Sequence, residues 1–304
     1  MNDIINIGLI QTNIKENEAW RNGKTVRIDG KIDMEYMYEE LVWQQILEAF
    51  SYFKQTNNIP DIIITPELTV PLPYKGKFIS FCNKLGTIGI AGLDFIDDGK
   101  SVENKGILVI PQFWQPTSEN KKRKSSYAQI YYFGKRYYAK PELDMFSNNG
   151  RREISNQAVY IIDGKVFGRI GLAICADIFD VQRWEIYRGR IHHFFIIAYN
   201  KDTDTFINFA HTIARTVYCN VAICNAGEFG NTIIVSPYKE GYKRVSFNEV
   251  GQNIKNYQII PIPVAELDNA QKSSNKAFKT QPPGYEQRSI YAPNPQIQQL
   301  ELKI

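Results

Sequence analysis

Histidine is scarce in this chain. There are three among 304 residues, the adjacent pair His192-His193 and His211. Cysteine is little commoner. The four cysteines, Cys82, Cys175, Cys219 and Cys224, form no CxxC pair and match no zinc spacing. Together these shortages argue against a structural metal site, and no cofactor is expected. The cysteines read as free thiols of a reducing compartment. No apolar run is long enough to cross a bilayer, so no membrane partner is expected. Met1-Asn2-Asp3-Ile4 lacks the basic region and apolar core of a signal peptide, which points to a cytoplasmic location. No internal repeat of fixed period is present. Neither sign of charge dominates: 36 Lys and Arg against 32 Asp and Glu leave a net charge of +4. That is short of a dedicated nucleic-acid binder. The one basic run, Lys121-Lys122-Arg123-Lys124, has no interleaved aromatics and reads as a solvated hairpin tip, so nucleic acid is not expected as a partner.

What is there is ordinary globular material, 43% hydrophobic and 22% charged, enough for a sizeable core. Ile4 to Thr12 is a continuous apolar run, the mark of a strand buried on both faces. Lys15 to Ile32 is polar and reads as a loop. From Met34 to Gln55, apolar residues at helical spacing (Met37, Leu41, Ile46, Phe50, Phe53) predict a long amphipathic helix. Strands are predicted over 61–65, 87–95, 104–111, 127–133, 194–198, 221–225 and 232–235. Helices are predicted over 77–85, 179–188 and 205–218, and 144–152 reads as irregular. Residues 158–162 and 165–174 form a predicted hairpin about Asp163-Gly164. Late strands are expected over 245–250 and 258–264. After Asp268 the chain turns polar and proline-containing. The pattern is one α/β domain over 1–268, with mixed sheets covered by helices, and an extension over 269–304.

Three reactive side chains follow strand-like runs, where ligands of α/β sheets sit. Glu67 follows Ile62-Ile63-Ile64-Thr65-Pro66, Lys140 follows the Tyr127 to Tyr138 segment, and Cys175 follows Ile170 to Ile174. A thiol is weakly ionised at neutral pH and needs a neighbouring base or cation to activate it. A carboxylate can take its proton and pass it to a leaving amine. An ammonium, with the backbone N–H of Ala176, can hold the negative oxygen of a tetrahedral intermediate. Each residue also has a plainer reading. Glu67 alone is a helix-start carboxylate, Lys140 alone a surface lysine, and a cysteine in an apolar stretch a small buried hydrophobe. Cys82, Cys219 and Cys224 keep that last reading. Asp177 is expected to bond backbone N–H groups beside the nucleophile, and the histidines to be structural.

At these residues the chain resembles the nitrilase superfamily, the carbon–nitrogen hydrolases. The resemblance runs from Ile4 to about Asp268. It rests on Ile7-Gly8-Leu9-Ile10-Gln11, Thr65-Pro66-Glu67-Leu68, Gly89-Ile90-Ala91-Gly92, Asn104-Lys105-Gly106, Tyr137-Tyr138-Ala139-Lys140 and Gly171-Leu172-Ala173-Ile174-Cys175-Ala176-Asp177. Later, Ala214-Arg215, Asn225-Ala226-Gly227 and Ser236-Pro237 are similar to family features. The resemblance implies a four-layer α-β-β-α sandwich and a Glu-Lys-Cys triad mapping onto Glu67, Lys140 and Cys175. The implied reaction is hydrolysis of a non-peptide C–N bond through a cysteine thioester, in an amide or carbamoyl compound ahead of a nitrile. Water is the second substrate, and a homodimer or higher homo-oligomer is implied. Where the family often has Phe-Gly-Glu, with a glutamate that positions substrate or water, this chain has Phe146-Ser147-Asn148. Asn148 cannot carry charge, and Glu142 and Glu153 are the nearby substitutes. Asn200, after the strand at 194–198, is a further candidate for positioning substrate. The competing reading is a nitrilase-fold module that senses a small ligand or binds a partner without turnover.

Overall fold

The computed structural model describes residues 1–20, 30–56, 58–114, 125–273, 275–285 and 298–303; the basic run at 121–124 lies outside them. In chain order the strands are Ile4–Gln11 (β1), Ile62–Ile64 (β2), Ile88–Gly92 (β3), Ile96–Asp97 (β4), Ser101–Glu103 (β5), Lys105–Pro111 (β6), Ala128–Gly134 (β7), Arg152–Glu153 (β8) and Ala158–Asp163 (β9). They continue as Arg169–Ile174 (β10), His193–Ala198 (β11), Asn220–Asn225 (β12), Thr232–Val235 (β13), Val245–Glu249 (β14), Asn256–Pro263 (β15) and Gln298–Lys303 (β16). The α-helices are Glu16–Ala19 (α1), Tyr36–Gln55 (α2), Lys75–Leu85 (α3), Lys140–Asn148 (α4), Val181–Tyr187 (α5), Thr203–Thr216 (α6), Gly241–Arg244 (α7) and Ala265–Lys272 (α8).

Two large mixed sheets carry the fold. One has the order β15-β1-β2-β3-β6-β7 and the other β14-β13-β12-β11-β10-β9-β16. A small third sheet, β4-β5-β8, stands apart. The parallel trios β1-β2-β3 and β10-β11-β12 are joined by helical crossovers, which parallel pairing requires. Side-chain alternation sorts the layers. Ile62 and Ile64 of β2 enter the core shared with the second sheet, while Ile63 faces Phe50, Phe53 and Phe78 of α2 and α3. Across the molecule α6 lies on β12 and β13 and buries Phe206, Ala210, Ile213 and Ala214. The result is the expected helix–sheet–sheet–helix sandwich.

Some local expectations need correction. The 15–32 stretch contains the short helix α1, whose end buries Ala19 and Trp20 against Phe95 and Leu68. Residues 144–152 are not irregular throughout, because α4 extends to Asn148. Pro141 occupies its first turn, where no N–H is needed, and the Glu142 carboxylate accepts from Ala139 N–H at 2.8 Å. The β9–β10 connection is longer than a two-residue turn: a 3-10 turn at Lys165–Phe167 intervenes, and Phe167 is buried. Beyond residue 268 the chain contributes Phe278 and Tyr285 to a buried cluster with Tyr218 and Leu267, and β16 pairs in parallel with β9 along a sheet edge.

Candidate active site

Glu67 directly follows Pro66, three residues past the end of β2, and is turned inward by Leu68, whose φ is +54°. The turn fits because Gly92 faces it: a Cβ on that residue would stand 2.4 Å from Glu67 Cα and 2.5 Å from Pro66 O. Both carboxylate oxygens are engaged. Oε1 accepts from Lys135 Nζ at 2.7 Å and Asn104 Nδ2 at 2.8 Å, and Oε2 accepts from the Tyr199 backbone N–H at 2.8 Å.

Lys135 is the first residue after β7, and its side chain is 1% exposed. Its ammonium also donates to Glu142 Oε2 at 2.6 Å and lies 5.7 Å from the centre of the Tyr138 ring. One cation therefore sits between two carboxylates. Asn104 repeats the link, donating to Glu142 Oε1 at 3.2 Å as well as to Glu67.

Cys175 directly follows β10 at a left-handed backbone position, φ +45°, and opens a 3-10 turn over 175–179. Such a conformation in a non-glycine residue is held by its surroundings. Here Asp177 supplies the hold. Its carboxylate accepts from the backbone N–H groups of Arg136 and Tyr137 at 2.9–3.2 Å and pairs with the buried Arg183 at 3.2 Å. The turn that carries the thiol is thus tied to the turn that carries Lys135. Asn200, two residues past β11, brings Nδ2 to 3.9 Å from the thiol sulfur, and Asn225 accepts from its N–H and donates to its carbonyl.

The electrostatics follow from burial. Burial pushes the Glu67 carboxyl above its ordinary value, Lys135 opposes the rise and the charge of Glu142 adds to it. Burial disfavours the Lys135 ammonium, but the charges of Glu142 and Glu67 outweigh it and hold its pKa well above that of a free lysine. Burial, then the Glu67 charge, raises the Cys175 thiol, so the resting sulfur is protonated. A carboxylate of raised basicity, a fixed cation and a neutral thiol share one pocket. Its volume is about 370 Å³, with Trp20, Phe95, Met145 and Phe229 as apolar wall and Glu16 and Lys201 also among its lining residues.

Lys140 is not part of this cluster. Its side chain is 80% exposed and pairs with Asp144, one turn along α4, at 2.5 Å. The helix begins at Lys140, and that residue faces water; Lys135, at the strand end proper, holds the inner position. Asn148 is exposed at the far end of α4, and Glu153 is exposed in β8. Of the substitutes considered, Glu142 alone lines the pocket. Ala176 sits in the first turn of the 3-10 helix, where N–H groups have no intrahelical acceptor. Sequence reasoning gave no site role to Lys135 or Tyr199, nor to Asn104, which it read only as part of the Asn104-Lys105-Gly106 motif. A usable signal for Lys135 was present, since it directly follows Phe133-Gly134, where the apolar run stops.

The chain has the fold of the nitrilase, or CN-hydrolase, superfamily. No protein-family model matches the sequence, and no curated protein does. Solved structures do. An amidase from Nesterenkonia sp. superposes with a TM-score of 0.58 over 88% of this chain and 94% of its own, at 10% identity. XC1258 from Xanthomonas campestris, a CN-hydrolase superfamily protein with an arsenic adduct in its active site, gives 0.52 over 90% and 95%, at 15% identity. A variant of the Nesterenkonia amidase, with the acetamide moiety of fluoroacetamide added covalently at its active-site cysteine, gives 0.57 over 85% and 90%, at 10% identity.

Proposed function

We propose that this protein is a carbon–nitrogen hydrolase that cleaves a small amide or carbamoyl compound, with Cys175 as nucleophile, Glu67 as general base and acid, and Lys135 in the position the sequence suggested for Lys140. The observation that carries the reading is the buried Glu67–Lys135–Glu142 network in the same pocket as the Cys175 thiol. The amidases of like fold, one of which takes a covalent adduct at its cysteine, support it.

Glu67 accepts the thiol proton as sulfur attacks the carbonyl carbon, so charge separates only during attack. The Lys135 ammonium and the Ala176 N–H stabilise the oxyanion that forms. The C–N bond breaks as Glu67 returns the proton to the leaving nitrogen, which departs as ammonia or an amine. Water then adds to the thioester carbonyl, giving its proton to Glu67, and the C–S bond breaks as the thiol is reprotonated. Glu142, bonded to Lys135 and open to the pocket, positions substrate or water, and Asn200 orients the sulfur.

Intact-mass measurement after incubation with a panel of small amides and carbamoyl compounds tests the reading. A mass increase on Cys175 equal to the acyl group, with ammonia released and both lost in Cys175→Ala, is expected. Turnover that survives Cys175→Ala, or a panel that leaves both mass and ammonia unchanged, would overturn it.

A further inference from the structure

A second cavity, of about 120 Å³, lies between α6, the end of β13 and the segment at 275–280, and shares no lining residue with the pocket of Cys175. The polar side chains that line it are Arg215 and His211 from α6, Ser236 after β13, Tyr238, whose hydroxyl donates to Glu266, Arg244 from α7 and Lys279. Among the described residues, no carboxylate lines it. Two of these groups are buried without a partner among the described residues, Arg215 Nη1 and Ser236 Oγ, and Ser236 is 0% exposed. A buried donor left unpaired is destabilising, and two beside one small cavity imply an occupant that accepts from both.

The surrounding frame is prepared for one. The Arg244 guanidinium is held by the carbonyls of Tyr238, at 3.0 Å, and Lys239, at 2.8 Å, which fixes its plane. The Lys279 backbone is pinned by Pro237 O at 3.0 Å and by the Tyr218 hydroxyl at 2.5 Å. Tyr238 stacks on Phe278 at 4.4 Å between centroids and locks the 275–280 segment against the body. Three cations and a hydroxyl around one small cavity, with no carboxylate among the described lining residues, suit a tetrahedral oxyanion, whose oxygens accept in several directions, better than a planar carboxylate. The volume is well under the roughly 300–1,000 Å³ that encloses a whole drug-sized ligand. An adjoining cavity, which shares Lys279 and adds Lys239 and Lys276, leaves room for the rest of a larger molecule.

We propose that this cavity is a phosphate site, binding inorganic phosphate or the phosphoryl end of a small metabolite through Arg215, Ser236, Arg244 and Lys279. The site is independent of the reaction proposed above and stands or falls separately from it.

Isothermal titration of the full chain with inorganic phosphate, at constant ionic strength against chloride, tests it. Saturable binding at one site with a rise in melting temperature is expected. Arg215→Gln and Lys279→Gln should each weaken it about tenfold or more, the loss of one charged hydrogen bond. Lys201→Gln, in the other pocket, should bind as the unaltered protein does. Melting in phosphate-free buffer checks that each variant is folded. Lys279 is only part-buried, so its variant carries the test if Arg215→Gln fails to fold. Titration with glycerol 3-phosphate separates the two sources: tighter binding that depends on Lys276 marks a phosphorylated metabolite, and equal or weaker binding marks the free ion. Absence of saturable binding, binding indifferent to Arg215 and Lys279, or binding abolished by Lys201→Gln would overturn the proposal.

Discussion

Lys135 and Lys140 lie on either side of one turn and end in opposite circumstances. The first is buried between two carboxylates; the second is solvated beside Asp144. Removing Lys135 leaves Glu67 and Glu142 buried without their cation, and removes the ammonium proposed to hold the oxyanion. Lys135→Met is expected to lower kcat/KM by at least about 100-fold and to cost several kcal/mol of stability, about 3–5 where a buried pair is broken. Lys140→Met should change stability by no more than about 0.5 kcal/mol and leave turnover as it was. Steady-state ammonia release and chemical unfolding of the two variants, side by side, check both statements. Equal losses in the two would mean that the buried network is not the one that acts.

At the scale of elements, the strand ends hold the site and their close packing makes them intolerant. Gly92 of β3 has no room for a methyl group, since the backbone at Pro66 and Glu67 is the obstacle and neither can step aside as a flexible side chain would. Gly92→Ala is expected to cost about 1–3 kcal/mol, the usual range for overpacking, and to depress activity as well, because Glu67 is what moves. An unfolding curve together with a rate assay separates this from a purely structural defect: a stability loss with full activity would show that Glu67 stayed in place. The start of β11 makes a second case. His193 is fully buried, with Nε2 donating to Phe167 O at 2.8 Å and Nδ1 accepting from Asn220 at 3.1 Å. Those roles need the neutral ring. Burial, helped by the charge of His192, lowers its pKa from 6.5 to about 3. Between those values the unfolded chain binds a proton that the native state refuses, so stability rises with pH across the window and this contribution is lost as pH falls from 6.5 towards 3. Urea titrations at pH 7 and pH 4.5 are expected to differ in that direction, and His193→Gln should flatten the difference.

For the whole molecule, the region after residue 268 is the part whose standing changes most between sequence and structure. It is polar and proline-containing, as an extension would be, yet it supplies Phe278 and Tyr285 to a buried cluster and a strand to the edge of the second sheet. Leu300 and Leu302 of β16 pack against the main core, and Arg190 bonds Gln299 at 2.7 Å and Glu301 at 2.6 Å. Ending the chain after residue 297 would bare the β9 edge, and an open apolar edge recruits other chains. That variant is expected to lose about 1–3 kcal/mol, the worth of partly burying two leucines, and to aggregate on warming. Melting followed by light scattering tests it, and an unchanged melting temperature would mean that the strand is an ornament of the sheet.

The sandwich was legible in the chain because its signals are local. Unbroken apolar runs mark two-sided strands, and helical spacing in 34–55 and 205–218 marks the covering layers. Glu67 and Cys175 could be picked out because each closes such a run and matches a motif. The choice of lysine could not be made that way. Two lysines flank one turn, and which one turns inward depends on where β7 ends and α4 begins, a matter decided by Asp177 reaching across from another sheet to the N–H groups of Arg136 and Tyr137. The same holds for Glu142, which enters the site because Pro141 starts a helix and the carboxylate then reaches both Ala139 N–H and Lys135. Periodicity and motif belong to neighbours along the chain, and so the sequence by itself determined the layers and singled out the cysteine proposed as nucleophile. Burial of a charge is settled by groups far apart in the chain, and only the tertiary structure could decide which cation sits between Glu67 and Glu142.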